Sequence, residues 1–175
     1  MDAAAHYKHL IALGRDEFLA SAAPAALVRF QSPDAQGSST GGTLEQTLTL
    51  DEGDTVDETL PHGHTPRPHI LGVEVYPLVK KAGASFPDRI TIGRTSNNDI
   101  VVQDHSVSRL HAYVRHTGSE WVVADAGSKN GSWLRGGALE ARRERVLPSR
   151  SVLRLGDVDL TFFVAADLFH ALGGS

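Results

Sequence analysis

The feature that most constrains this chain is a crowd of short strand-like runs between residues 73 and 164. The runs at 73–79, 89–92, 100–102, 112–116, 121–125, 132–135, 151–155 and 158–164 carry β-branched and aromatic residues, with Gly, Asn, Asp, Ser and Pro between them. No helix-length periodic segment interrupts them, so nothing is available to cross over between parallel strands. The pattern predicts an all-β fold, an antiparallel β-sandwich or barrel. The alternating Val, Leu and Ile of these runs read as core. The end, 166–175, is expected to be a tail with a helical turn or two.

The front of the chain is different in kind. Residues 1–30 read as a short helical segment. Tyr7, Leu10, Ile11 and Leu13 share a rough helical spacing, with Gly14 as a stop. Asp16 is placed to cap a second helix bearing Phe18 and Leu19, ending before Pro24. The run at 25–30 fits helix or strand equally. A helical pair this short buries too little to stand alone, so it is expected to pack on the rest of the chain or on a partner.

Residues 31–69 read as a flexible, acidic, Thr-rich linker. They hold seven of the eleven threonines, and five acids fall within the eight residues 51–58. The composition offers too little apolar surface to offset the entropy of ordering.

Charge follows the same division. Residues 1–69 hold ten acids and four Lys/Arg, a balance of −6, whereas residues 70–175 hold eleven acids and thirteen Lys/Arg, a balance of +2. With a net charge of −4 the whole molecule is not expected to bind nucleic acid electrostatically. The sequence has no cysteine, which excludes thiol nucleophiles, disulfides and thiolate metal sites. No apolar run approaches the roughly 20 residues that span a bilayer, and the first residues lack a signal-peptide pattern, so a cytoplasmic location is expected.

Within the strand-rich part, loop residues collect the chemistry that grips a phosphate. Gly93-Arg94 follows one strand. Val107-Ser108-Arg109-Leu110-His111 precedes another. Ser128-Lys129-Asn130-Gly131 follows a third, and Leu155-Gly156 closes the series before Phe162. A phosphate ester carries nearly two charges and three acceptor oxygens. An arginine fork, a hydroxyl and backbone N–H groups can satisfy it together.

This ordered set resembles the forkhead-associated (FHA) domain, a β-sandwich that binds phosphothreonine peptides, over about residues 70–165. The resemblance implies that Arg94 and Ser108 contact the phosphate, with Arg109, Ser128 and Lys129 adding donors from the same loops. Asn130 would hydrogen-bond the peptide main chain. Gly93 would let the backbone turn sharply at the strand end, and His111 and Gly131 would support the loops. Ser106 lies where the family often reads the peptide three residues past the phosphothreonine. No cofactor and no metal are implied. Ser132, Arg135-Gly136 and Pro148-Ser149-Arg150 depart from the common pattern without removing a phosphate donor.

The function so implied is a non-enzymatic adaptor acting in signal transduction through protein–protein contact, downstream of a Ser/Thr kinase. Its partner would be a phosphothreonine protein or peptide, the kinase or a kinase substrate, and neither nucleic acid nor membrane. The acidic segment at 43–59, with Thr43, Thr47, Thr49, Thr55 and Thr59, is either a phosphorylated self-ligand for the basic face or a passive solvated stretch; the sequence leaves both open. The alternative is a scaffold that uses its N-terminal segment while the FHA site is autoinhibited or unused. His62, His64 and His69 have no matched metal-ligand pattern. Asp104-His105-Ser106 has the letters of a catalytic triad but not the separation one needs.

Overall fold

The strand-like runs become two stacked sheets. In chain order the elements are α1 (Ala3–Leu13), α2 (Arg15–Ser21), β1 (Ala25–Phe30), β2 (Val73–Pro77), β3 (Ile90–Gly93), β4 (Ile100–Val101) and β5 (Ala112–His116). β6 (Trp121–Asp125), β7 (Ser132–Leu134), β8 (Gly137–Ala138), β9 (Arg145–Val146), β10 (Ser151–Leu155), β11 (Val158–Val164) and α3 (Ala165–Ala171) follow. The computed structural model describes residues 3–31 and 72–175. The threonine cluster, the three histidines at 62, 64 and 69, and nearly all of the expected linker lie outside the described residues.

One sheet runs β2-β1-β11-β10-β7-β8 and the other β4-β3-β5-β6-β9. Every pairing is antiparallel except β3 with β4, which is parallel across a connection of only six residues. That loop is held shut by Asn98 and Asp99 rather than by a crossover helix. The core between the sheets is built from alternate residues such as Leu27, Ile92, Leu153 and Phe162.

The run at 25–30 corrects the expectation of a helical front. It is strand β1, lying between β2 and β11 in the middle of its sheet. Its neighbours are far away in sequence, so local propensity had little say. Four consecutive residues, Ala25 to Val28, are fully buried because both faces of β1 are covered. Ala25 and Leu27 face the inter-sheet core, while Ala26 and Val28 face a second core outside the sheet. The sandwich therefore begins at residue 25, not 70, and residues 31–69 separate two adjacent strands of one domain. Gln31 N–H donates to the Gly72 carbonyl at 2.8 Å, closing the base of that excursion.

The second core explains the helices. α1, α2 and α3 pack over the β2-β1-β11 part of the sheet through Tyr7, Leu10, Phe18, Leu168 and Phe169. Phe18 sits with its ring 5.7 Å from Tyr7 and 5.3 Å from Phe169. Burying side chains of this size stabilises by about 2–3 kcal/mol each. The expected C-terminal tail is likewise part of the fold, since α3 supplies Leu168 and Phe169 to this core.

Candidate functional site

Three loops at one end of the sandwich converge: β3–β4, β4–β5 and β6–β7. They form an open cleft of about 560 Å³ lined by Arg94, Ser108, Arg109, Lys129 and Asn130, together with His105, Ser106 and Leu110. Five of the six residues named from sequence as contacts, all but Ser128, line it.

The first loop is fixed from beneath. Asn98 is buried, and its Nδ2 donates to the carbonyls of Thr95 at 2.9 Å and Arg109 at 2.6 Å. Asp99 accepts from Lys80 Nζ at 2.7 Å and from the Thr91 and Lys81 amides. Burial pushes the Asp99 carboxyl up, but these donors outweigh it and hold the group below the usual carboxylate range. Arg94 N–H donates to the Ser108 carbonyl at 3.0 Å, which ties the first loop to the second.

Gly93 has a different reason from the expected one. Its φ is not positive, so no unusual turn requires glycine. Instead a Cβ there would lie 2.2 Å from the Arg109 carbonyl oxygen. Glycine at 93 lets the β3–β4 and β4–β5 loops touch. Gly131, at φ 86°, does adopt the left-handed conformation expected of a turn glycine.

The second loop is braced by His111, which is fully buried. Its Nδ1 accepts from Ser108 N–H at 2.9 Å, so Nε2 carries the proton and donates to the Gly131 carbonyl at 2.9 Å. Burial pulls its pKa below the ordinary histidine value, and the Gly131 bond and the Asp125 charge only partly oppose this. Ser108 Oγ accepts the Lys129 N–H at 3.0 Å, which leaves the hydroxyl proton for a ligand.

The third loop hangs on Asp125, which sequence reasoning passed over. Its Oδ1 accepts from the Gly127 and Ser128 amides, and its Oδ2 from the Ser128 and Ser132 hydroxyls. Burial raises this carboxyl, yet the four donors keep it ionised and its pKa lowered. The signal was present as an Asp at a strand end followed by Ala-Gly-Ser, the composition of a side-chain-capped turn. Ser128 is committed to that turn, donating its hydroxyl proton to Asp125 at 2.5 Å and accepting from Gly131 N–H at 3.0 Å. Its hydroxyl is thus spent on the turn, and Ser128 does not line the cleft. Asn130 Nδ2 donates to the Ser106 carbonyl at 2.8 Å, so its side-chain oxygen remains for a ligand.

Ser106 is buried, with its hydroxyl donating to Asp104 at 2.7 Å and accepting from Asp157 N–H at 2.9 Å. His105 makes no bond to it, so no nucleophile–base pair exists here. Among the described residues no cluster could hold a metal ion. The arginines at 142–150 do not form one basic face: Arg143 pairs with Glu140 and Arg150 with Asp167.

In contrast, the side chains of Arg94, Arg109 and Lys129 are exposed and have no ion-pair or hydrogen-bond partner among the described residues. Three exposed cations, a free hydroxyl proton and a free amide oxygen are thus gathered in one cleft.

Comparison with known proteins gives the family. The family model described as FHA domain matches residues 90–156. The oxoglutarate dehydrogenase inhibitor of Corynebacterium diphtheriae is 31% identical over 134 residues, covering 75% of this chain and 92% of that protein. FhaB, an FHA domain-containing protein of Mycolicibacterium smegmatis, is 41% identical over 64 residues, 33% of this chain and 41% of its own length. The solved structure of Mycobacterium tuberculosis EmbR in complex with a low-affinity phosphopeptide shares 32% identity over 45% of this chain and 20% of that one, with a TM-score of 0.42. The chain belongs to the FHA-domain family of phosphothreonine-peptide-binding β-sandwiches. Among the described residues no helix is long and apolar enough to cross a membrane.

Proposed function

We propose that this protein is a non-enzymatic adaptor that recognises a phosphothreonine peptide made by a Ser/Thr kinase. The observation that carries the reading is the convergence of unpaired Arg94, Arg109 and Lys129 around the Ser108 hydroxyl in one cleft. Arg94 and Ser108 hold the phosphate, Arg109 and Lys129 add charge, and Asn130 Oδ1 takes a main-chain N–H of the peptide. The scaffold alternative is weaker, because the apolar faces of α1 and α2 are already spent on the sandwich. The test is an oriented phosphothreonine-peptide library offered to the full chain before and after phosphatase treatment. Retention only before treatment is expected; equal retention would overturn the reading.

A second reading, regulation from within the chain, has its own observation. Beyond Val28↔Thr161 the strand register leads β1 toward the β10–β11 turn, whose Asp157 amide bonds Ser106 beside the cleft. Arg29 reaches within 3.9 Å of Asp104 in the β4–β5 loop. Gln31 and Gly72, the described residues that flank 32–71, thus lie toward the cleft end of the sandwich. A phosphothreonine among 43–59, tethered to the same domain, would have a millimolar-scale effective concentration at the site. A fragment starting at 70 would lose β1, so the test compares phosphorylated full-length protein with one whose five threonines at 43, 47, 49, 55 and 59 are alanine. Equal peptide affinity would end the idea. The relative matched over 92% of its length is named as an inhibitor of a metabolic enzyme. That name supports an enzyme as the class of partner, tested by assaying oxoglutarate dehydrogenase with and without this protein.

A further inference from the structure

The loop that carries Arg94 is clamped by a loop that the family model does not cover. Residues 78–89 join β2 to β3, and the matched region begins at residue 90. Two successive lysines there, Lys80 and Lys81, reach across to the β3–β4 loop.

Lys80 fixes the clamp itself. Its ammonium has three protons to give, and it donates to the Ser85 carbonyl at 3.0 Å, the Arg89 carbonyl at 3.0 Å and Asp99 Oδ2 at 2.7 Å. The first two bonds fold the β2–β3 loop on itself, and the third ties it to the β3–β4 loop. The Asp99 side chain is fully buried, and Lys80 is the cation that balances it. Asp99 Oδ1 accepts the Lys81 N–H at 2.7 Å, which fixes the backbone from which the Lys81 side chain springs.

Lys81 Nζ then donates to the Ser96 carbonyl at 2.8 Å. Three successive residues of the β3–β4 loop are thus each held by a different partner. The Arg94 N–H is held by the Ser108 carbonyl, the Thr95 hydroxyl by the Arg109 carbonyl at 3.0 Å, and the Ser96 carbonyl by Lys81. The Arg94 side chain has no partner among the described residues, so its backbone is what aims it. Neither lysine lines the cleft.

We propose that Lys80 and Lys81 are positioning residues for phosphate recognition, holding the β3–β4 loop so that Arg94 meets the phosphate already in place. The inference rests on the phosphopeptide reading given above. A loop fixed beforehand in its bound form loses less entropy when the ligand arrives, so the contribution of these lysines appears in affinity.

Lys80→Met would leave the Asp99 carboxylate buried without its cation and endanger the fold, so the test uses Lys81→Met, which keeps the stem and removes the donor. Wild type and variant, as full chains, are titrated with one phosphothreonine peptide and its unphosphorylated twin in about 0.05 M and about 0.5 M salt. Amide hydrogen exchange is followed in both free proteins. The variant is expected to bind the phosphorylated peptide about threefold to tenfold more weakly, by the same factor at both salt concentrations. Its Asn98 amide, which donates to the Thr95 carbonyl at 3.1 Å, is expected to exchange faster than in wild type. Wild-type affinity in Lys81→Met, unchanged exchange at Asn98, or a loss that disappears in high salt and so reports only the lysine's long-range charge, would overturn the positioning role alone. Equal binding of the two peptides by wild type would overturn the phosphopeptide reading and the positioning role with it.

Discussion

Ser108 and Lys129 are joined across two loops: the Lys129 amide donates to Ser108 Oγ at 3.0 Å. This one bond gives the hydroxyl its direction. An oxygen already accepting from the protein turns its own proton outward, into the cleft, where the proposed phosphate would lie.

Ser108→Ala should therefore weaken phosphopeptide binding roughly tenfold to a hundredfold, since a hydrogen bond to a charged group contributes about 1.5–3 kcal/mol. Calorimetric titration of both forms with one phosphothreonine peptide measures the loss. The melting temperature should fall only slightly, because Ser108 is half-exposed and lies in a loop.

His111 should make the fold acid-sensitive. Its folded pKa is lowered by burial, so the folded state resists a proton that the unfolded chain accepts below about 6.5. Stability from this group is full above that value and is lost as pH falls through it toward the depressed folded pKa. Protonation would also remove the acceptor that holds Ser108 N–H. Urea unfolding from pH 8 to pH 5 should show wild type losing stability across the acid side. His111→Asn should start lower and respond less.

Gly93→Ala and Gly127→Ala should differ sharply. The first puts a methyl 2.2 Å from the Arg109 carbonyl oxygen, and the second meets nothing within 4 Å. Overpacking against backbone costs about 3 kcal/mol or more, and it pushes apart the loops bearing Arg94 and Ser108. At Gly127 the only penalty is a side chain at φ 90°, about 1–2 kcal/mol. Thermal melts and a binding titration of the two variants separate the cases. Gly93→Ala should lose both stability and binding, Gly127→Ala little of either.

Phe18→Ala should do the reverse of Ser108→Ala. It empties the centre of the Tyr7–Phe18–Phe169 stack and should cost about 3–5 kcal/mol. The cleft lies elsewhere, so peptide affinity of the folded fraction should be unchanged. Chemical denaturation and titration on the same sample check both halves.

The loops that converge on the cleft were legible because their chemistry is local. Arg94, Ser108 and Lys129-Asn130 each sit in a short ordered word, and the strands between them announce themselves by alternation. β1 was not legible. Ala25-Ala26 is weak strand chemistry, and a strand covered on both faces shows no alternation. Its partners lie more than 40 and more than 130 residues away. Asp125 and its bond with the Ser128 hydroxyl were missed for one reason: whether a hydroxyl faces a ligand or a neighbouring carboxylate depends on geometry that letters do not carry. Gly93 was singled out for the wrong cause, since its constraint is a carbonyl sixteen residues away rather than its own backbone angle.

The most direct measurement is a titration of one phosphothreonine peptide and its unphosphorylated twin against wild type and Arg94→Ala. Arg94 has no partner within the described residues, so the variant should melt as wild type does. Its guanidinium should supply about 3 kcal/mol or more through a forked contact, so affinity for the phosphorylated peptide should fall by about a hundredfold or more. The unphosphorylated twin should bind neither protein. Undiminished binding by folded Arg94→Ala, or equal binding of the two peptides by wild type, would contradict the account.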